Sequence, residues 1–250
     1  MLSKSIIVLL VTMAYNVQAN AEDAVKPDGQ WRGFVNAGAS FASGNTTSRS
    51  GNLAAEGTKN TERNKLHHYL SALYGVQRDS NGENRQTANQ IRGGTKYDHD
   101  INPRLFSFAS LDLEHDKLQR LNLRSVLAAG FGRHFIKTTE TTFDMFAGLT
   151  YNRESFVDDT RNSIELLLGE ESTHKISETA SFKQRLAVYP NVKESGEYRV
   201  QFDAGLNLTV TEKVGMQLTF SDRYQSNPQP GIKKNDALLL ASVSYKFGPK

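Results

Sequence analysis

The sequence predicts an all-β fold, a closed antiparallel transmembrane β-barrel of about twelve strands, and three observations carry that expectation. Apolar and polar residues alternate with a period of two over long stretches. The connections between stretches are alternately brief and longer. The one continuous apolar run lies at the extreme N-terminus, and no apolar run of helical length occurs beyond it.

That N-terminal run has the layout of an export signal. Lys4 supplies a positive start, residues 6–14 an apolar centre, and Ala19-Asn20-Ala21 a small-residue cleavage site, so 1–21 is expected to be removed. Residues 22–30 then read as a short periplasmic lead with access to the barrel interior, 31–247 as the barrel and 248–250 as a tail. Composition alone, with 38% hydrophobic and 23% charged residues and a mean hydropathy of −0.52, would suit a soluble protein. A membrane barrel also keeps a low hydropathy, because each crossing of about ten residues turns only half its side chains to lipid. There is no cysteine, so an exported fold of this kind must rest on hydrogen-bond ladders and packing. The formal charge of +3 includes Lys4, and 30 basic residues are spread evenly among 27 acidic ones. Such a distribution offers no basic face for nucleic acid.

Taken in order, the predicted strands span 31–43, 46–59, 64–78, 86–98, 104–117, 121–135, 141–155, 161–173, 180–189, 197–210, 214–225 and 234–247. No helical period holds long enough to compete with them. The clearest is 197–210, where Tyr198, Val200, Phe202, Ala204, Leu206, Leu208 and Val210 form an unbroken apolar row. In 141–155 the row is Phe143, Met145, Ala147, Leu149 and Tyr151; in 214–225 it is Val214, Met216, Leu218 and Phe220. In 121–135, Leu121, Leu123, Leu127, Ala129 and Phe131 share a face, with Ser125 and Arg133 interrupting it. The last stretch places Ala237, Leu239, Ala241, Val243, Tyr245 and Phe247 on one side, and Leu238, Leu240, Ser242, Ser244 and Lys246 on the other.

Brief turns follow the even strands, as at Asn102-Pro103 and Thr138-Thr139, whereas longer polar loops follow most odd ones. Among the longer loops we count 79–85, Val157-Asp158-Asp159-Thr160, 191–196 and 226–233; Gly44-Asn45 is the short exception. Short turns at one end and longer loops at the other place both termini at the periplasmic end of an outer-membrane barrel. A soluble sandwich or barrel would show the same alternation while hiding its apolar row. Against it stand strands longer than the usual five or six residues or so, and aromatic residues gathered near the row ends: Trp31, Phe135, Phe143, Tyr245 and Phe247 at the turn end, Phe41, Tyr151, Tyr198 and Tyr224 at the loop end.

The polar rows would line the lumen. Their candidate functional residues are Arg32, Glu56, Arg92, Lys96, Asp112, Glu114, Arg124, Asp144, Glu165, Lys183, Arg185, Arg199, Asp203 and Arg223, with His67, Asp98 and Glu197 on the same rows. A single-sign lining would indicate ion selectivity. Mixed signs suit either salt bridges across the interior or a narrow permeation path. Catalysis is not expected. His115 lies between Glu114 and Asp116, but alternation turns it away from both, leaving Ser125 or Ser155 as the available nucleophiles. No His and carboxylate spacing suggests a metal, no phosphate loop occurs, and no cofactor is expected.

Several residues that periodicity does not explain resemble one family. They are Ser43-Gly44-Asn45-Thr46, Tyr97-Asp98 before Asn102-Pro103-Arg104-Leu105-Phe106, Glu114-His115-Asp116 followed by Leu123-Arg124, and the stretch Pro228 to Lys234. Together they resemble the salt-induced outer-membrane proteins, domain of unknown function 481, from about Gly33 to Phe247. The resemblance implies a bacterial outer-membrane β-barrel of unassigned activity, and the family name suggests salt or osmotic induction. For function the sequence leaves a narrow channel or an envelope salt- or osmotic-stress protein, or alternatively a structural or cell-surface contact barrel, with a lipid-acting hydrolase the thinnest case. The expected partners are outer-membrane lipid, the barrel insertion machinery and small solutes or ions. Tyr245 and Phe247 are the candidate assembly signal, and Gly248-Pro249-Lys250 beyond them departs from barrels that end on the aromatic residue.

Overall fold

The computed structural model describes residues 27–42, 47–78 and 82–249. The expected export signal, lead residues 22–26 and the Ser43-Gly44-Asn45-Thr46 motif lie outside the described residues. Among the described residues the chain forms twelve strands: β1 (Trp31–Ala42), β2 (Thr47–Asn60), β3 (Asn64–Arg78), β4 (Asn84–Asn102), β5 (Leu105–Asp116), β6 (Leu121–Lys137), β7 (Thr141–Phe156), β8 (Thr160–Lys175), β9 (Ala180–Pro190), β10 (Tyr198–Thr209), β11 (Val214–Gln225) and β12 (Asn235–Phe247). Each pairs antiparallel with its neighbours in sequence, and β1 pairs with β12 to close the barrel.

The turns are built from short polar side chains that satisfy the backbone locally. Thr61, Thr138 and Thr211 each open a turn by accepting, on the side-chain hydroxyl, the backbone N–H three residues on, at 3.1, 2.9 and 3.0 Å. Asn102 does the equivalent work ahead of β5, its side-chain oxygen accepting from the N–H of Arg104 and Leu105 at 2.9 and 3.0 Å. At the other end, the Asp116 carboxylate caps the β5–β6 turn through the N–H of Leu118 and Gln119.

Alternation sets the faces as the apolar rows require. Leu127, Phe131, Leu149, Leu168, Leu239 and Val243 are exposed on the outside, where a bilayer would cover them. Aromatic rings sit at both margins of this apolar belt: Phe135 against Phe143 and Trp31 against His68 at the turn end, and Tyr198 stacked on Tyr224 at the loop end.

Three local expectations are corrected. Leu121 does not continue the outward row of β6 but is fully buried, because a register shift between Leu121 and Leu123 inverts the parity of the strand there. The Val157-Asp158-Asp159-Thr160 connection is a tight turn rather than a longer loop: Phe156 N–H donates to Asp159 O at 2.7 Å, and the Asp159 carboxylate accepts from Thr160 N–H at 2.7 Å. β4 starts earlier and runs through the expected Asp100–Asn102 turn, with a shift between Asp100 and Asn102 absorbing the irregularity.

Candidate functional site: the barrel lumen

Period-two geometry carries every second residue of each strand inward, and the registers determine which of them share a level. Arg92 is opposite Glu114, Glu114 opposite Arg124, and Arg124 opposite Glu154. Four charges of alternating sign thus form one rung across β4, β5, β6 and β7 near the loop end. The contacts are Arg92 to Glu114 at 2.7 Å, Arg124 to Glu114 at 2.5 Å and Arg124 to Glu154 at 2.8 Å. The Gln90 side-chain amide donates a hydrogen bond to the Asp116 carboxylate at 2.7 Å. Beside this rung, Arg199 holds Glu165 through two nitrogens, at 3.1 and 2.5 Å, while Asn152, Ser163 and Thr150 also donate to that carboxylate. With this many donors the buried oxygens of that carboxylate are satisfied by protein groups.

Toward the turn end the same wall becomes apolar. Phe106, Phe108, Ala128, Phe146, Leu167, Ala187 and Tyr189 pack into one buried cluster inside the barrel. Phe108 meets Phe146 edge-on at 5.8 Å. Lys96 places its ammonium 5.6–5.7 Å from the centres of Phe106, Phe108 and Phe146, and pairs with Asp98 at 3.1 Å and Glu171 at 3.4 Å. Arg185 lies over Phe146 at 5.3 Å with Glu171 4.0 Å away, and Arg199 over Tyr189 at 4.6 Å. Gly132 makes this possible, since a Cβ there would collide with the Phe106 ring. Below the cluster, His134 lies between Asp144 (2.7 Å) and Asp100 (3.2 Å), with Lys137 on Asp100 at 2.6 Å.

The remainder of the wall, β1–β3 with β10–β12, is lined differently. Its inward side chains are mainly small or uncharged: Asn52, Ser71, Gln217, Thr219, Ser221 and Ser242, all partly exposed. Its charged groups are few. Glu56 faces His67 at 3.6 Å, Asp203 holds Arg223 at 2.6 Å, and Lys183 on the adjoining β9 is exposed. Asp112 accepts the Tyr69 hydroxyl at 2.6 Å. Arg32 sits at the turn-end rim, bound to Asp28 at 2.6 Å and to Pro249 O at 3.0 Å. Outside the membrane-spanning strands, Asp28 is held well below the ordinary carboxylate range, first by the Arg32 guanidinium and then by the Gln30 N–H.

The charges predicted from sequence therefore fall into separate groups rather than one constellation. Glu154 and Glu171 were missed, although each shares the inward parity of a predicted neighbour, Asp144 and Glu165 respectively. The aromatic cluster was missed as well; Phe106 and Phe108 lie on the same parity as Asp112 and Glu114, which was the available signal. Tyr245 and Phe247 are exposed on the outer face, opposite Val35 and Gly33 of β1. His115 places Nδ1 2.9 Å from the Asn122 carbonyl oxygen, with no serine hydroxyl recorded beside it among the described residues. No group of three or more His, Cys, Asp or Glu side chains among the described residues is arranged to hold a metal.

Comparison with known proteins agrees with this architecture. The family model described as "Protein of unknown function, DUF481" matches residues 35–247. An outer-membrane channel from Pseudomonas putida F1 superposes with a TM-score of 0.51 at 14% identity, over 92% of this chain and 100% of that one. The NanC porin gives a TM-score of 0.49 at 8% identity, covering 85% and 97%. The translocator domain of the autotransporter NalP from Neisseria meningitidis gives 0.45 at 11%, covering 91% and 92%. At 14% identity the likeness to the Pseudomonas putida channel is one of fold. No curated protein matches the chain in sequence.

Proposed function

The chain belongs to the DUF481 family, and from that premise we propose that it is a non-enzymatic outer-membrane barrel that conducts small solutes or ions along one side of its lumen. The observation that carries this reading is the uneven access of water to the interior. Several inward residues of β5–β9 such as Phe106, Thr150, Glu165 and Leu167 are buried, whereas most of those of β1–β3 and β10–β12, such as Asn52, Ser71, Thr219 and Ser221, keep part of their surface open, with Asn36, Arg199 and Ser244 among the buried exceptions. Half the lumen is filled, and a water path remains along the other half. Its charged residues, Glu56, Asp203, Lys183 and Arg223, are of both signs, which favours small conductance and weak ion selectivity.

In this reading the arginines and carboxylates of the filled side are structural. They fix the width of the path and do not bind the solute. Residues 1–21 direct export, residues 27–30 rest at the periplasmic rim, and Tyr245 with Phe247 is the segment read by the insertion machinery. The test is purified protein in planar bilayers under a potassium chloride gradient. Small, uniform current steps with a reversal potential near zero are expected. Absence of steps from protein that is folded by circular dichroism would overturn the proposal and leave the filled side as the basis of a sealed structural barrel.

A further inference from the structure

The closing seam is incomplete. β1 pairs with β2 along its whole length, from Trp31↔Lys59 to Ala42↔Ser48, but among the described residues its ladder with β12 runs only from Gly33↔Phe247 to Ala37↔Val243. β12 nevertheless continues on β11 as far as Asn235↔Tyr224. Residues 38–42 of β1 and 235–242 of β12, each laddered to its other neighbour, therefore share no ladder with one another in the loop-end half of the wall. Unpaired strand edges are costly in hydrocarbon and persist at membrane depth where they border a water-filled cavity.

The side chains at this place are also unusual for a polar lumen. Leu238 and Leu240 point inward from β12, opposite Ser221 and Thr219 of β11, while Leu239 points outward and is 64% exposed. Apolar surface thus continues from the outer face around the unpaired edge to the inner one.

Two amide bridges mark the lower limit of the gap. The Asn36 amide donates to Gln217 Oε1, passing over β12, and the Asn52 amide donates to Ser242 Oγ at 2.9 Å, passing over β1. Gly38 leaves the space that Asn52 crosses, since a Cβ there would collide with the Asn52 side-chain oxygen and with Ala241 O. The turn-end half of the seam is joined by both ladder and side chains.

We propose that the loop-end half of the β1–β12 seam is a lateral portal between the lumen and the outer leaflet, taking the alkyl chain of a single-chain amphiphile. Its uncharged head would hydrogen-bond among Asn52, Gln217 and Ser242, the neutral groups at the lower end of the gap. The proposal rests on the channel reading in that the lumen must hold water behind the portal.

Tryptophan quenching by brominated acyl chains tests it. In a Trp31→Phe background, which removes the one native tryptophan, Leu240→Trp, Leu239→Trp and Asn207→Trp are reconstituted separately into unlabelled phosphatidylcholine vesicles containing a monoacylglycerol brominated on its single chain. Loss of fluorescence is expected at 239 and at 240 but not at 207, an inward position away from the seam. An Ala39→Cys/Ala241→Cys pair, unique in a cysteine-free chain, should when oxidised abolish the loss at 240 and leave ion conductance unchanged. If Leu240→Trp does not fold, Leu238→Trp carries the same comparison. Quenching at 239 without quenching at 240 or 238 would overturn the portal, as would quenching unaffected by the crosslink. Crosslink-sensitive quenching without ionic current would instead sustain the portal and remove the channel reading.

Discussion

Replacing Arg124 by Met is expected to be among the most damaging single changes to this barrel. The Arg124 side chain is 9% exposed and stands between Glu114, 11% exposed, and Glu154, 6% exposed. Removing it leaves Glu154 without its guanidinium, while Glu114 keeps Arg92. Breaking a buried ion pair from one side costs about 3–5 kcal/mol, and the surviving Arg92 contact places this case toward the lower end. With a urea dependence of about 2–3 kcal/mol per M, the unfolding midpoint of the detergent-folded barrel should fall by about 1–2 M. The double variant Arg124→Met/Glu154→Gln should recover most of that loss, because no uncompensated charge remains. A single-variant loss under about 1 kcal/mol, the value of an exposed pair, would show that water reaches the rung and that β4–β7 do not form a filled wall.

The aromatic cluster makes a related prediction: Phe106→Ala should cost about 3–5 kcal/mol and enlarge the single-channel current step, and an unchanged step would mean that the cluster does not border the path. Phe247→Ala should lower the yield of membrane-inserted barrel, measured by urea extraction, far more than Leu240→Ala on the opposite face; equal effects would contradict the assigned faces. Asp28 predicts an acid response at the rim. Its folded pKa is lowered, so its contribution is fully present above the ordinary carboxylate value of about 3.9 and is lost as pH falls through the lowered folded value. Amide-exchange protection of Gly29 should therefore decline on strong acidification, and Asp28→Asn should remove that dependence.

Much of the architecture was legible because a barrel repeats one rule. In β10 the row from Tyr198 to Leu208 has no interruption, so parity alone assigns every side chain to lipid or lumen. Parity fails where the register shifts, and Leu121 is such a place: nothing in its neighbours announces the irregularity that turns it inward. The tight turn at 157–159 was missed for a different reason, since acidic and hydroxyl residues suit both a loop and a capped turn, and only the Asp159 carboxylate's bond to Thr160 N–H separates them.

The site was legible as a set of inward charges but not as an arrangement. Cross-strand level depends on stagger, so the placement of Arg92, Glu114, Arg124 and Glu154 on one rung follows from the registers and not from spacing along the chain. Charge also does not single out the uncharged inward residues. Asn52 and Ser242 are 190 positions apart in sequence and become partners because the barrel closes.

The division of the lumen into a filled and an open half is tested most directly by thiol access in the cysteine-free chain. Thr219→Cys, on the open side, and Ala128→Cys, within the buried cluster, would each be treated with a small cationic methanethiosulfonate during bilayer recording. The predicted result is a stepwise fall in current for the position-219 variant and none for the position-128 variant. Equal modification of both, or of neither while current flows, would contradict a conducting path along β10–β12 and β1–β3.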